Sequence, residues 1–319
     1  MKLKQLLPLI GIIIFIYLLT QVDIQGIGEV FTSLPPLYIF LSFLSVIPIL
    51  LFVNVEWQLI LRKHNIHVSF WYSLKNILIG YFYGFITPGG FGAYTRALYL
   101  HDETGESAQK CFVNILIFNT IDYLALLTLG VIGGFVLSSY LPSVFPIFLI
   151  VFIIIIILII ILLRKETGQA LFTRIIRSEL LSSKWKEKWG THIERLYQDI
   201  PSIKDLLLPY SIAVLGWFIW FTILFFIAQL FAITVPWIYF IFIIAVANVL
   251  ASIPISIYGL GIREASLFGL FSLFQVDASK VISLSLFWFV LMWLSPSIIG
   301  TIVTFYESKK HPKVQQQHS

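Results

Sequence analysis

Charge is scarce in this chain: Asp, Glu, Lys and Arg together make up 12% of 319 residues, while 59% are hydrophobic. A soluble domain carries roughly 25% charged residues, so the shortage excludes a water-soluble globule. Cysteine is nearly absent. With Cys111 alone, an intramolecular disulfide is excluded, and the thiol reads as a small buried apolar side chain. There is no H-E-x-x-H, no G-x-S-x-G and no G-x-x-x-x-G-K-[ST], so the zinc-peptidase, nucleophile-elbow and phosphate-loop chemistries lack their residues, and ATP-driven pumping within this chain is excluded. His64 and His67 stand three apart, but beside Arg62 and Lys63 and without a cysteine or nearby acid they make a poor metal pair. The histidines read as loop or tail residues, and neither cofactor nor metal is expected.

What the chain has instead is long apolar runs, at 6–20, 34–61, 111–137, 144–163, 207–233, 237–254 and 281–305. About 20 such residues cross the hydrocarbon layer as a helix. The net charge of +5 would suggest nucleic acid in a soluble protein. Here the basic residues sit in loops between apolar runs, so no nucleic-acid partner is expected and the charge orients the chain. Lys2 and Lys4 ahead of the first run raise a cleaved signal peptide, but Gln21-Val22-Asp23 is a poor cleavage site. A retained first helix is expected.

Nine Lys or Arg fall in 164–205, whereas 138–143 and 234–236 hold none. By the positive-inside rule 164–205 is cytoplasmic, with both termini and the Arg62-Lys63 turn on that side. Threading the spans then leaves 70–100 starting and ending inside, around Thr87-Pro88-Gly89-Gly90-Phe91-Gly92, where proline and glycine break helix. A re-entrant hairpin is expected there, and broken backbone at membrane depth must line protein or a wet cavity. The same bookkeeping puts 237–274 outside at both ends, around Pro254-Ile255-Ser256-Ile257-Tyr258-Gly259-Leu260-Gly261. That stretch is either a second hairpin or a full crossing with a short return.

The halves therefore read as inverted repeats, as in many secondary transporters. The fold class expected is an all-α polytopic membrane protein with about seven to eight transmembrane helices plus Gly/Pro-broken re-entrant segments in two inverted repeats. It forms one transmembrane domain over 1–319: first helix and outer loop 1–33, repeat 34–137, lipid-facing anchor 144–163, basic cytoplasmic loop 164–206, repeat 207–305 and cytoplasmic tail 306–319. Within the loop, Trp185, Trp189, Ile193 and Leu196 at helical spacing beside basic residues suit a helix on the anionic cytoplasmic leaflet.

Ionisable groups inside spans are functional candidates by default. Arg96 follows the first break, Asp122 lies mid-span, Arg263 and Glu264 follow the second break, and Glu56 sits late in 34–61. Glycine-rich breaks expose N–H groups and a guanidinium grips phosphate, so the set suits an anionic headgroup. The plain alternatives are snorkelling for Arg96, a bond to Asn119 for Asp122 and an interfacial place for Glu56. Arg263 and Glu264, being adjacent, would not face one another on a regular helix. The residues expected around the path are Pro88, Gly89, Gly90, Gly92, Arg96, Asp122, Pro254, Ser256, Gly259, Gly261, Arg263 and Glu264.

Gly80-Tyr81-Phe82-Tyr83-Gly84 through Pro88-Gly89-Gly90-Phe91-Gly92 to Arg96, then Asp122, then Ile253-Pro254-Ile255-Ser256 through Gly259-Leu260-Gly261-Ile262-Arg263-Glu264-Ala265 resembles the lysylphosphatidylglycerol synthase transmembrane-region family, also called flippase-like proteins. The resemblance implies a domain that moves aminoacylated phosphatidylglycerol, or another lipid-linked substrate, between leaflets of the cell membrane. Full-length synthases of that family add a large cytoplasmic domain that takes lysine from aminoacyl-tRNA. This chain has only 164–205 and a short tail to place there, so synthesis of the lipid by this chain alone is not expected. The partner expected is a membrane phospholipid, with a second copy of the chain or a separate soluble synthase subunit as further ones. The rival readings are an intramembrane lipid transferase, a carrier of polyprenyl-phosphate-linked sugar and a scaffold.

Overall fold

The computed structural model describes residues 17, 20, 24–163, 165–177, 200–252 and 259–308. Those residues hold helices and no strand: α1 (Ile24–Ser33), α2 (Pro36–Leu44), α3 (Val46–Lys63), α4 (Phe70–Ile86), a 3-10 turn (Pro88–Thr95), α5 (Arg96–Thr104), α6 (Ala108–Val136), α7 (Val144–Leu163), α8 (Lys165–Arg177), α9 (Ile203–Leu230), α10 (Trp237–Ala251), α11 (Ile262–Ser272), α12 (Ala278–Phe289), a π-turn (Val290–Leu294) and α13 (Ser295–Ser308). Most of the first apolar run, the amphipathic stretch around Trp185 to Leu196, Pro254, Ser256 and the tail beyond Ser308 lie outside the described residues.

Among the described residues five stretches are long and apolar enough to cross a bilayer: Pro36–Lys63, Ala108–Val136, Val144–Ile161, Ile203–Leu230 and Ala278–Glu307. The run at 237–254 is shorter as a helix. With 15 residues α10 rises about 22 Å, short of the roughly 30 Å hydrocarbon core. It packs against the following α11, so the two form a helical hairpin. In the first half, α4 ends at Thr87, whose extended backbone breaks the helix, and the chain returns through the 3-10 turn against α4 before α5 begins.

The two halves exchange their last spans. In each, the first span packs on its own hairpin (α3 on α4, α9 on α10), and the second hairpin arm packs on the last span (α5 on α6, α11 on α12). Across the halves α3 packs on α9, α6 covers α10, and α13 covers α4. A two-fold relation between the units α3–α6 and α9–α13 would generate those pairings. Both crossings rest on glycine, as close helix packing inside a membrane generally does. A Cβ on Gly133 would stand 3.0 Å from the Phe242 carbonyl oxygen, and one on Gly300 only 2.1 Å from that of Leu78.

α7 touches little besides α6 and α8, and its Ile-rich surface, including Ile150, Ile154 and Ile157, is exposed. Polar side chains inside the bundle are largely satisfied internally, as hydrocarbon surroundings demand. Ser73 donates to the Asn54 Oδ1 at 2.7 Å and accepts from Gln58 at 2.8 Å, tying α3 to α4. Trp57 donates to Asn114 at 2.9 Å, tying α3 to α6. Replacing Trp57 by Phe keeps the ring but strips a buried acceptor of its donor. An unfolding midpoint lowered by the equivalent of about 1–3 kcal/mol is expected in detergent solution.

Candidate functional site

The two glycine motifs place two arginines alike. In the first break Gly90 has φ +71°, and in the second Gly259 and Gly261 have φ +75° and +86°, values that residues with a Cβ rarely adopt. Gly92 is needed for another reason. Its N–H donates to the Thr87 hydroxyl at 2.7 Å, and a Cβ there would stand 2.1 Å from the Tyr83 carbonyl oxygen. Each break releases the chain into the second arm of its hairpin, so Arg96 becomes the first residue of α5 and Arg263 the second of α11. Pro88 and Gly89 open the first of these returns.

Both guanidinium groups are buried and lie over pairs of aromatic rings. The Arg96 Cζ is 5.1 Å from the Trp57 ring centroid and 4.9 Å from that of Phe118. The Arg263 Cζ is 5.1 Å from Trp288 and 5.8 Å from Phe289. Such contacts hold a desolvated cation without neutralising it. The snorkelling alternative for Arg96 is thereby corrected: 5% exposed, its side chain turns inward to the rings.

The halves differ in how they treat the charge. Arg263 reaches Glu264 at 2.6 Å from Nη2 and 3.1 Å from Nε, and Ser285 of α12 donates to the same carboxylate oxygen at 2.7 Å. The expectation that adjacent residues would not meet is corrected here. Glu264 folds back over the N-terminus of α11 to accept from the Gly261 N–H, where a carboxylate is favoured, and this brings it within reach of the neighbouring guanidinium. No helical spacing rule covers that geometry.

Among the described residues Arg96 has no carboxylate hydrogen bond. Its Nη2 donates to the neutral Asn119 at 3.2 Å, and its Nε has no partner. Asp122 is half-buried and accepts from the Trp217 indole of α9 at 2.9 Å, so the bond to Asn119 weighed from sequence is not the one formed. Glu56 is not interfacial: it is 2% exposed on α3, and its Oε1 lacks a partner among the described residues. Glu56, Asp122 and Arg96 lie within each other's electrostatic reach, with Tyr81 and Tyr94 also close to the guanidinium. One histidine departs from the loop reading, since His101 belongs to α5, whereas His64 stands in the turn that follows α3 and is fully buried there.

An aromatic seam links the two arginine centres. Tyr81 of α4 pairs with Trp293 at 5.8 Å, and one turn on, Phe85 pairs with Phe289 at 6.1 Å, the ring beneath Arg263. The π-turn Val290–Leu294 lies at this seam, and π-turns inside helices often mark functional positions. Sequence reasoning missed Trp217, Ser285 and the seam, because an indole or hydroxyl inside an apolar run carries no signal of what it will meet. Among the described residues no three His, Cys, Asp or Glu side chains gather as a metal site.

A bundle whose described residues form helices without strands, five of its apolar stretches of spanning length and charged side chains folded into its interior, is a multi-pass membrane protein. The chain belongs to the lysylphosphatidylglycerol synthase transmembrane-region family, whose pattern matches residues 5–300. Among curated proteins nothing matches it. The family match concerns a membrane region, and it ties the chain at that coarse level to the metabolism or transport of lysylphosphatidylglycerol.

Proposed function

We propose that the protein is a lipid flippase of the cell membrane, moving phosphatidylglycerol or its lysyl derivative between leaflets, with both termini cytoplasmic. The observation that carries this reading is the pair of buried arginines. Each begins the second arm of a broken hairpin, each lies over aromatic rings, and each hairpin is covered by the other half's last span. A headgroup crossing hydrocarbon loses its hydration at a cost of several kcal/mol. A guanidinium such as that of Arg96, which has no carboxylate hydrogen bond among the described residues, replaces part of that hydration for a phosphate, while the acyl chains stay in lipid. An inverted pair of such centres suits alternate exposure to the two leaflets.

The test is leaflet-resolved transport in proteoliposomes, using fluorescent phosphatidylglycerol and its lysyl derivative with a leaflet-impermeant quencher. Wild type is expected to move at least one of them well above empty vesicles, and Arg96→Ala, folded, to lose most of that rate. A wild-type rate equal to that of empty vesicles for both lipids would overturn the reading.

A further inference from the structure

Inside the first half two acids gather around one base. Glu56 and Asp122 act on a single arginine, Arg96, so with all three ionised the cluster carries one uncompensated negative charge inside an apolar bundle. In the second half Arg263 and Glu264 cancel, and Ser285 and the Gly261 N–H complete their hydrogen bonds. Neutral donors relieve the imbalance in the first half only at Asp122, which accepts from the Trp217 indole. Among the described residues Glu56 Oε1 has no donor within reach, and Arg96 Nε, a free donor, has no acceptor. An ionised carboxylate with an empty oxygen and no bonded cation is among the costliest things a protein interior can hold.

The described elements around the cluster supply no second cation. α6 brings Asp122 and the neutral Asn119, while its Lys110 at the helix start is paired with Glu106 at 3.0 Å, and α5 brings Arg96. α4 and the 3-10 turn bring Tyr81 and Tyr94. α9, the remaining long neighbour of α3, brings Trp217 to Asp122 and Tyr210 to Thr128, while its Asp205 is held at the helix start by Lys63 at 2.8 Å. A metal ion would need several oxygen ligands, and no such group gathers among the described residues. A proton needs no coordination shell.

We propose that Glu56 and Asp122 together hold one proton when the site is empty, and that a cationic headgroup arriving beside them displaces it. The exchange balances: the ammonium of the headgroup takes the place of the proton as counter-charge, the carboxylic acid becomes carboxylate, and the proton leaves to water. The half-buried Asp122 offers the route, and the buried Glu56 supplies the reserve of charge. An anionic headgroup brings no counter-charge and leaves the proton in place. The displacement step rests on the flippase reading; the proton site in the empty protein does not.

Infrared difference spectroscopy on the full chain in phosphatidylcholine nanodiscs, neutral against alkaline, tests the first part. Wild type is expected to show the C=O stretching band of a protonated carboxylic acid, downshifted in heavy water. Both Glu56→Gln and Asp122→Asn should abolish it, since removing either acid leaves one carboxylate for one arginine. A wild type without the band overturns the proton site, and a band that survives in folded Asp122→Asn overturns its sharing. Monodisperse elution with unchanged helical circular dichroism selects folded variants, and either variant alone suffices for the wild-type comparison.

The second part is read by a pH indicator in weakly buffered solution. Lysylphosphatidylglycerol is expected to release one proton per bound lipid from wild type, and phosphatidylglycerol none. Transport of the lysyl lipid without proton release overturns the exchange. A persistent infrared band with no lipid transport overturns the flippase reading and leaves the proton site standing.

Discussion

Replacing Glu264 by alanine is expected to lower the stability of the folded bundle by about 3–5 kcal/mol, the usual cost of leaving one member of a buried ion pair alone. Arg263 and Glu264 are 1% and 0% exposed, so neither lipid nor water can take over the missing partner. Ser285 would still accept from the Arg263 Nε but lose the carboxylate its hydroxyl donates to, and the Gly261 N–H would lose its cap. Removing both charges together, as Arg263→Met with Glu264→Leu, should recover much of the loss, because the expense lies in the orphaned charge rather than in the missing attraction. Thermal unfolding in nanodiscs, followed by circular dichroism, reads both results. A Glu264→Ala variant that melts with wild type would mean that the pair is not sealed from solvent.

Gly300→Ala is expected to damage the bundle severely although it removes no polar side chain. The added methyl would sit 2.1 Å from the Leu78 carbonyl oxygen and 3.2 Å from the Phe82 Cβ. Backbone cannot step aside as a side-chain tip can, so α13 must move off α4. Overpacking of this kind costs about 1–3 kcal/mol or more. It would also part Ser297 from the Tyr81 carbonyl, 3.1 Å away, and open the Tyr81–Trp293 contact. Transport should fall with stability. Gly269→Ala is the control: nothing lies within 4 Å of its added carbon, and unchanged transport is expected. If the two variants behave alike, the close crossing of α13 over α4 is not what the seam depends on.

The architecture was legible from the chain because its signals are long or steric. Twenty apolar residues at 144–163 could become only a helix, and Val144–Leu163 is one. Proline and clustered glycine at 88–92 had to end α4, and they do. Arg96, Asp122, Arg263 and Glu264 stood out because an ionised group in an apolar run is rare. What each touches was not legible. Arg96 is long enough to reach an interface by itself; packing of α3 and α6 instead set Trp57 and Phe118 beneath it. Asp122 had a plausible partner one turn away, yet its bond goes to an indole 95 residues distant. The Arg263–Glu264 contact depends on a helix start at Ile262 that spacing alone does not fix to the residue. Glu56 was seen but misplaced, because proximity to Arg62 in sequence outweighed a burial that only the assembled bundle creates.

The exchange of last spans sets an order of events during synthesis. Tyr81 on the first hairpin and Ser297 on the span that covers it are 216 residues apart. A ribosome adds about 5–20 residues each second, so the hairpin leaves the insertion machinery many seconds before its permanent neighbour has been made. Throughout that interval a broken backbone, which lipid cannot satisfy, must be sheltered by something else. The insertion apparatus, a membrane chaperone or provisional contacts with α6 would have to serve. The second hairpin meets no such delay, since α6 is already in place when α10 emerges, so the two related halves mature by different routes.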